Sequence, residues 1–517
     1  MADNHFDIVV IGGGPGGYVG AIRAAQLGYK TAIVDRAKLG GICLNWGCIP
    51  SKALLTNAEV MDKINHQEFW GLKFEGPVSF DWDKIIGRSR DTALKLNKGV
   101  EFLMKKNDIT HFQVHAKITR GASGGQPCEI QLYDCEVEET LSSAPADPAD
   151  NPRESITADR IMIATGAVAR DLPFARFDRE KIWGSREAMY NKERPNRLLV
   201  IGSGAIGMEF GYFYHSFGSE VTVVEMLDRI LPAEDEEISK QMYRHYKKDG
   251  MKFELTSTLT AVDTSGDGVK ATIAPFRDGD PVHDEAKTIE VDRLLLAIGV
   301  RGRFDGLFDD SLGIEIVKDH IKTDYVPLGP ESPMTAPVLT YKTSVDGIHA
   351  VGDVIGPPWL AHVASEEALA CVERMAYTDG KLKHEPIPID YTIVPACTYT
   401  QPQVASIGFT EKMLTQRGLK KGEDFEVGQF PFTALGKAIA AAHTAGFVKI
   451  IRGLPHGEIL GAHLMGAQAT ELIAELSLAR RMEATTEDLI ATIHAHPTMH
   501  ESIHEAALAS EGRVIHT

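Results

Sequence analysis

Residues 6–35 read FDIVVI, GGGPGG, YVGAIRAAQLG and KTAIVD: an apolar run, a glycine turn, a helix-forming stretch and a second apolar run. The same order returns at 197–225 as RLLVI, GSGAIG, MEFGYFYHSFG and EVTVVE. Short apolar runs bounded by turn residues predict strands buried on both faces, and strand–helix–strand is the repeat of a parallel α/β sheet. Two diverged copies so far apart are a duplicated supersecondary unit, not a solenoid period.

The spacing inside each turn narrows the reading further. In Gly12-x-Gly14-x-x-Gly17, the first glycine permits a tight turn. The second lets a pyrophosphate approach the backbone, and the third lets helix and strand pack closely. The helix N-terminus then faces the phosphates with its partial positive charge. Asp35 closes the second strand, where a carboxylate can accept hydrogen bonds from a ribose. The second copy has Gly202, Gly204 and Gly207, with Glu225 in the matching place. A carboxylate there suits a free 2′-hydroxyl and repels a 2′-phosphate, which predicts NAD over NADP. Arg229 nearby reads as a surface charge. The expectation is an α/β protein with two Rossmann-like dinucleotide-binding domains.

With 517 residues, the chain is long enough for three or four domains. The expected division is 1–174 and 293–380 as two segments of the first nucleotide domain, 175–292 as the second, and 381–517 as a C-terminal α+β domain. Gly, Ser, Pro and acidic residues dominate 121–155, whose second half reads as a solvated insertion. The segment 327–337 also reads as a loop. A formal net charge of −18 argues against nucleic-acid or anionic-membrane binding, since both need a basic face. No apolar run reaches membrane-spanning length. Strand-like residues begin at Phe6, which leaves no room for a targeting segment and predicts a cytoplasmic protein.

Six cysteines in a chain this long do not make a secreted disulfide scaffold. Cys43 and Cys48 stand apart in GGICLNWGCIPSK, just after the first glycine unit. Metal binding would need two more ligands at suitable spacing, and no CxxC or HxxxH lies nearby. A structural disulfide closing so short a loop would be reducible and of limited benefit. A redox-active pair suits the setting better, because a thiolate at a helix N-terminus is both stabilised and reactive, and Pro50 fits a first turn. At the far end, His494-Ala-His496-Pro497-Thr498 is followed by Glu501. A histidine can take and return a thiol proton near neutrality, and a carboxylate can hold its tautomer. Read alone, this histidine cluster could equally be a metal site or a solvated face.

Taken together, GGGPGG, GGICLNWGCIPSK, Ala164-Thr165-Gly166, GSGAIGMEF, TSVDGIHAVGD and HAHPTMHE stand in the order found in the class I pyridine nucleotide-disulfide oxidoreductases, the flavin disulfide reductases. The chain resembles that family over nearly its whole length. The resemblance implies that Gly12, Gly14, Gly17, Asp35, Thr165, Gly166 and Asp353 hold FAD, and that Gly202, Gly204, Gly207 and Glu225 hold NAD. It implies that Cys43 exchanges with substrate while Cys48 faces the flavin, and that Lys52 pairs with Glu209 beside it. It also implies a homodimer in which the last domain lends His496 and Glu501 to the other subunit's site. The apolar strands and the helix at 467–480 of that domain are expected to seek a partner face. Ile49-Pro50-Ser51-Lys52, Leu360-Ala361-His362 and Glu225 match the lipoamide branch. That branch implies oxidation of dihydrolipoamide, borne on a carrier of a 2-oxoacid dehydrogenase or glycine-cleavage-type system, with NAD⁺ as acceptor. The alternatives are a reductase of another low-molecular-weight disulfide and, more remotely, a non-catalytic flavoprotein scaffold.

Overall fold

The computed structural model describes residues 4–76, 78–135, 151–327 and 336–516. The first apolar run forms β1 (His5–Ile11), followed by α1 (Pro15–Gln26) and β2 (Thr31–Val34). Pro15 opens α1, three residues before the predicted start at Tyr18, because its fixed φ and missing N–H suit the first helical position. The chain continues through α2 (Gly41–Trp46), α3 (Cys48–Asn65), α4 (Trp82–Lys106), β3 (Thr110–Phe112), β4 (His115–Arg120), β5 (Cys128–Tyr133) and β6 (Glu154–Ile163). The sheet order is β3-β2-β1-β6-β5-β4. Its first four strands run parallel, and β5 runs antiparallel to both neighbours. Ile8, Val9 and Val10 at its centre are wholly buried, as a sheet covered on both faces requires.

This sheet corrects the extent of the expected insertion. Cys128–Tyr133 is a strand with alternating burial and β6 starts at Glu154, so part of 121–155 belongs to the sheet. The alternation in CEIQLY is a period-2 signal that the surrounding polar composition obscured. The core of the predicted insertion, 136–150, and most of the predicted loop at 327–337 lie outside the described residues.

The second unit forms β7 (Arg197–Ile201), α5 (Ala205–Ser216), β8 (Glu220–Val224), β9 (Lys252–Glu254) and β10 (Arg293–Leu296). These strands lie parallel in the order β9-β8-β7-β10, with Ile182–Trp183 beyond β10. Because β10 pairs with β7, the second sheet extends to Leu296. The outgoing strand Ala167–Ala169 then pairs antiparallel with the returning Val300–Gly302. Further on, β11 (Ile348–Ala350) rejoins the first sheet beside β6, and α6 (Ala361–Thr378) packs against α1.

The C-terminal part is a five-stranded antiparallel sheet, β12 (Ala396–Thr398), β13 (Gln403–Gly408), β14 (Phe425–Pro431), β15 (Phe447–Gly453) and β16 (Ile459–Gly466). It is followed by α7 (Ala469–Arg481) and α8 (Glu501–Ser510). The apolar face of α7 does not await a partner. Leu472, Ile473, Leu476 and Ala479 are buried in the chain's own core with Val448, Ala462 and Leu464. Apolar surface left outside comes from Leu478 on the outer side of α7 and from Ile439, Met482, Ile493 and Ile515.

Candidate active site

The two glycine turns are near copies in space as well as in sequence. A Cβ on Gly17 would overlap the Gly12 carbonyl, and one on Gly207 would overlap the Gly202 carbonyl. Gly12 and Gly202 adopt φ of 106° and 95° against the carbonyls of Ala164 and Ala297, where no side chain fits. The middle glycines differ from these. Nothing lies within 4 Å of a Cβ on Gly204, and nothing nearer than 3.8 Å on Gly14. Space is therefore kept open over the first turn of each helix, where neither Gly14 nor Gly204 provides a side-chain cap and no acidic residue follows. Free N–H groups facing open space at a helix start form an anion cradle.

A carboxylate anchors each cradle. Asp35 accepts the Gly13 N–H and the Ala37 N–H at 2.8 Å. Glu225 accepts the Ser203 N–H at 2.9 Å, the Ser203 hydroxyl at 2.7 Å and the Leu227 N–H at 2.9 Å. Arg229 is engaged elsewhere, with Glu236 at 3.0 Å and the Pro232 carbonyl. The chemistry of both sites fits a dinucleotide: an N–H cradle for phosphates and a fixed acceptor for a ribose. Asp353 ends the return to the first sheet, and burial pushes its carboxyl up to about 6. Thr165 and Gly166 sit at the crossover, where the Thr165 hydroxyl donates to Arg303 O and Arg303 N–H donates to Gly166 O at 2.9 Å.

The two cysteines flank a single glycine pivot. Cys43 lies in α2, and Cys48 is the first residue of the 18-residue α3, with Gly47 between the helices. A Cβ on Gly47 would stand 3.0 Å from the Ile42 carbonyl, so glycine allows the close approach. Both are free thiols. The hydrogen bond between them divides their roles: it raises Cys43, which burial raises further, and it lowers Cys48, whose thiolate the Lys52 ammonium also favours. The position of Cys48 at the start of α3 acts in the same direction.

Lys52 lies one turn beyond Cys48 and donates to both oxygens of Glu209, at 3.1 and 3.0 Å. Glu209 sits in α5, the helix that opens at the second glycine turn, and it is buried. It also accepts the Tyr399 N–H at 2.9 Å, and the Lys52 ammonium stands 4.3 Å from the Tyr399 ring centroid. One carboxylate thus ties the helix of the thiol pair, the helix of the second nucleotide unit and the C-terminal sheet. Nothing in the local sequence around Tyr399 signals this.

The histidine pair stands apart from the thiols. His496 Nδ1 lies 2.8 Å from Glu501 Oε1, and Glu501 Oε2 accepts the Thr498 N–H at 2.9 Å. The His496 side chain is 77% exposed. Among the described residues, no hydrogen bond or ion pair joins it to Cys43 or Cys48 within the chain. Sequence reasoning did not single out Glu475, which contacts His494 and His500, or the Glu367–Tyr391 bond behind Gly352. Among the described residues no group of three or more metal-ligating side chains could hold an ion, and no helix is long and apolar enough to cross a membrane.

The chain belongs to the pyridine nucleotide-disulphide oxidoreductase family, whose model matches residues 6–368, with the family's dimerisation-domain model matching 394–507. The fold is accordingly glutathione-reductase-like, with two dinucleotide-binding domains and a C-terminal α+β dimerisation domain. A dihydrolipoyl dehydrogenase of Rhizobium etli is 42% identical over 515 residues, covering 100% of both chains. The mitochondrial dihydrolipoyl dehydrogenase of Pisum sativum is 40% identical, covering 99% of this chain and 92% of its own. A leghemoglobin reductase of Glycine max is 40% identical, covering 98% of this chain and 87% of its own. In overall fold, the chain superposes on the LpdA crystal structure from Mycobacterium tuberculosis with a TM-score of 0.81 over 97% of this chain and 98% of that one, at 24% identity.

Proposed function

We propose that the chain oxidises a dihydrolipoyl group, borne on a carrier protein, to its cyclic disulfide, with NAD⁺ as the final acceptor. The observation that carries this reading is the Lys52–Glu209 pair, which draws the helix of the second nucleotide cradle onto the helix that starts at Cys48. The dihydrolipoyl dehydrogenases similar over the full chain support the same substrate. Gly12, Gly14, Gly17, Asp35 and Asp353 would hold FAD. Gly202, Gly204, Gly207 and Glu225 would hold NAD. When bound, FAD supplies a two-electron carrier between the thiol pair and the nicotinamide.

The protein's own part is thiol chemistry. In the oxidised enzyme Cys43 and Cys48 share a disulfide. A substrate thiolate attacks Cys43 Sγ; a new S–S bond forms, the Cys43–Cys48 bond breaks, and Cys48 leaves as a thiolate. The second substrate thiol then attacks the mixed disulfide, expelling Cys43 and closing the lipoyl ring. His496 takes the proton that makes the first substrate sulfur nucleophilic and returns it to the departing Cys43. Glu501 holds the Nδ1 side of the imidazole, so Nε2 faces outward for that task. Within a single chain His496 and the thiols are unconnected, so the site is completed by the His496 of a second subunit.

Stopped-flow measurement of the two half-reactions tests the assignment. His496→Gln lowers the dithiol half-reaction on the order of 10²- to 10⁴-fold, the range for one positioned acid–base group, and leaves reduction by NADH intact. Equal damage to both halves, or a normal dithiol half-reaction, rules out His496 as the base. Assay with NADH against lipoamide and glutathione disulfide checks the substrate, with lipoamide expected to turn over.

A further inference from the structure

The base of the proposed reaction sits on a segment with no regular secondary structure. Residues 493–498 lie between a short helix, Thr486–Ala491, and α8, and no ladder of backbone bonds holds them. A proton-transfer group nevertheless has to stand within hydrogen-bond reach of a sulfur, and misplacement by an ångström costs rate heavily. Some other part of the fold must supply the rigidity.

Two histidines bracket His496 in sequence, and both converge on one carboxylate. His494 Nε2 stands 2.6 Å from Glu475 Oε1, and His500 Nδ1 stands 2.6 Å from Glu475 Oε2. An ionised carboxylate only accepts, so each ring donates to its own oxygen. Glu475 lies on α7 at the flank of the stripe, Leu472, Ile473 and Leu476, that locks this helix into the C-terminal core. The His494 side chain is nearly buried, while His496 between the two anchors is turned out to solvent. Further support comes from His504, whose ring packs at a tilt with its centroid 5.7 Å from that of His494 and contacts the Ile490 carbonyl at 3.2 Å.

We infer that Glu475 is a positioning residue for the thiol half-reaction: it clamps His494 and His500 to α7 and so fixes the placement of His496 between them. This rests on the reading of His496 as the base. Glu475 acts through His496 and needs no contact with substrate. Its partners are two ring N–H groups diverging from one carboxylate, a geometry that an amide cannot reproduce, since one amide end donates where an acceptor is required.

A double-mutant cycle on the intact holoenzyme tests it. Glu475→Gln alone slows the dithiol half-reaction roughly 10- to 100-fold, the cost of an ångström-scale misplacement. Reduction by NADH and the dimer mass stay unchanged. Placed on His496→Gln, the same substitution costs less than about 2-fold more, because residues that act through one group are non-additive. A full loss in the His496→Gln background, no loss in the wild type, or equal loss in both half-reactions overturns the inference. A normal dithiol half-reaction in His496→Gln alone would instead remove the reading on which it rests. Should Glu475→Gln fail to assemble, His500→Gln opens one arm of the clamp at a half-exposed ring and meets the same criteria.

Discussion

At the scale of single residues, Glu225 and Cys48 are each fixed in state by what surrounds them. Both oxygens of Glu225 are oriented by N–H donors, and Arg229, the nearby cation, is paired with Glu236. A 2′-phosphate would meet a fixed negative charge with its potential counter-charge already in use. Like-charge juxtaposition of this kind costs several kcal/mol. NADH is therefore favoured over NADPH by roughly 100-fold or more in kcat/KM, as steady-state assay with each nucleotide will show. Their mutual hydrogen bond and the Lys52 ammonium favour the charged form of Cys48, while that hydrogen bond and burial push Cys43 up. Two-electron reduction of the holoenzyme should give long-wavelength absorbance; Cys43→Ser, which has no disulfide to reduce, should show it before any reduction, and Cys48→Ser should lack it in either state, so that its presence in Cys48→Ser would reverse the two roles.

At the scale of elements, the glycine turns separate folding from binding. Gly207 is needed by packing, whereas Gly204 faces open space. Gly204→Ala is thus expected to leave the melting temperature unchanged and to raise the NADH KM about 10-fold or more, as the added methyl meets the pyrophosphate rather than the protein. Gly207→Ala, by contrast, should yield little folded protein on expression. These elements were legible in the sequence because their information is local: apolar runs, glycine spacing and a terminal carboxylate fall within 30 or so residues of one another. The helix starts were misread by three residues, since Pro15 and Ala205 continue the glycine turn in composition yet already have helical geometry. The strand Cys128–Tyr133 was lost in polar surroundings. What was not legible at all is long-range. The bond from Tyr399 N–H to Glu209 spans 190 residues, and the convergence of His494 and His500 on Glu475 depends on how α7 packs. No local propensity encodes either.

At the scale of the whole molecule, the joints between domains carry buried charge. Glu234, at the edge of the second nucleotide domain, is pushed up to about 7 by burial, and its Oε2 has no hydrogen-bond partner. Its folded pKa exceeds the unfolded value of about 4.5, so the folded state holds its proton more tightly. The associated stability is present below pH 4.5 and is lost as pH rises through 7, an effect of roughly 1–3 kcal/mol. Glu234→Gln should therefore narrow the difference in melting temperature between pH 5 and pH 8. The separation of His496 from the thiols calls for a second experiment at this scale. Cys43→Ser and His496→Gln subunits, each inactive, are refolded together. Random pairing gives half heterodimers with one intact site in two, so about a quarter of wild-type activity returns. No regain, with heterodimers shown by mass, would mean that each site is built from one subunit.

Glu209 joins all three lobes through two oxygens: Lys52 of the first, its own helix in the second and the Tyr399 backbone of the third. A clam-shell swing of the middle lobe would strip that carboxylate of both partners and leave a buried charge uncompensated, at a cost of about 3–5 kcal/mol. The three lobes are in effect riveted together beside the thiol pair. Opening at this joint on every turnover would carry that cost, whereas admitting the nicotinamide by movement of side chains at the doorway would not.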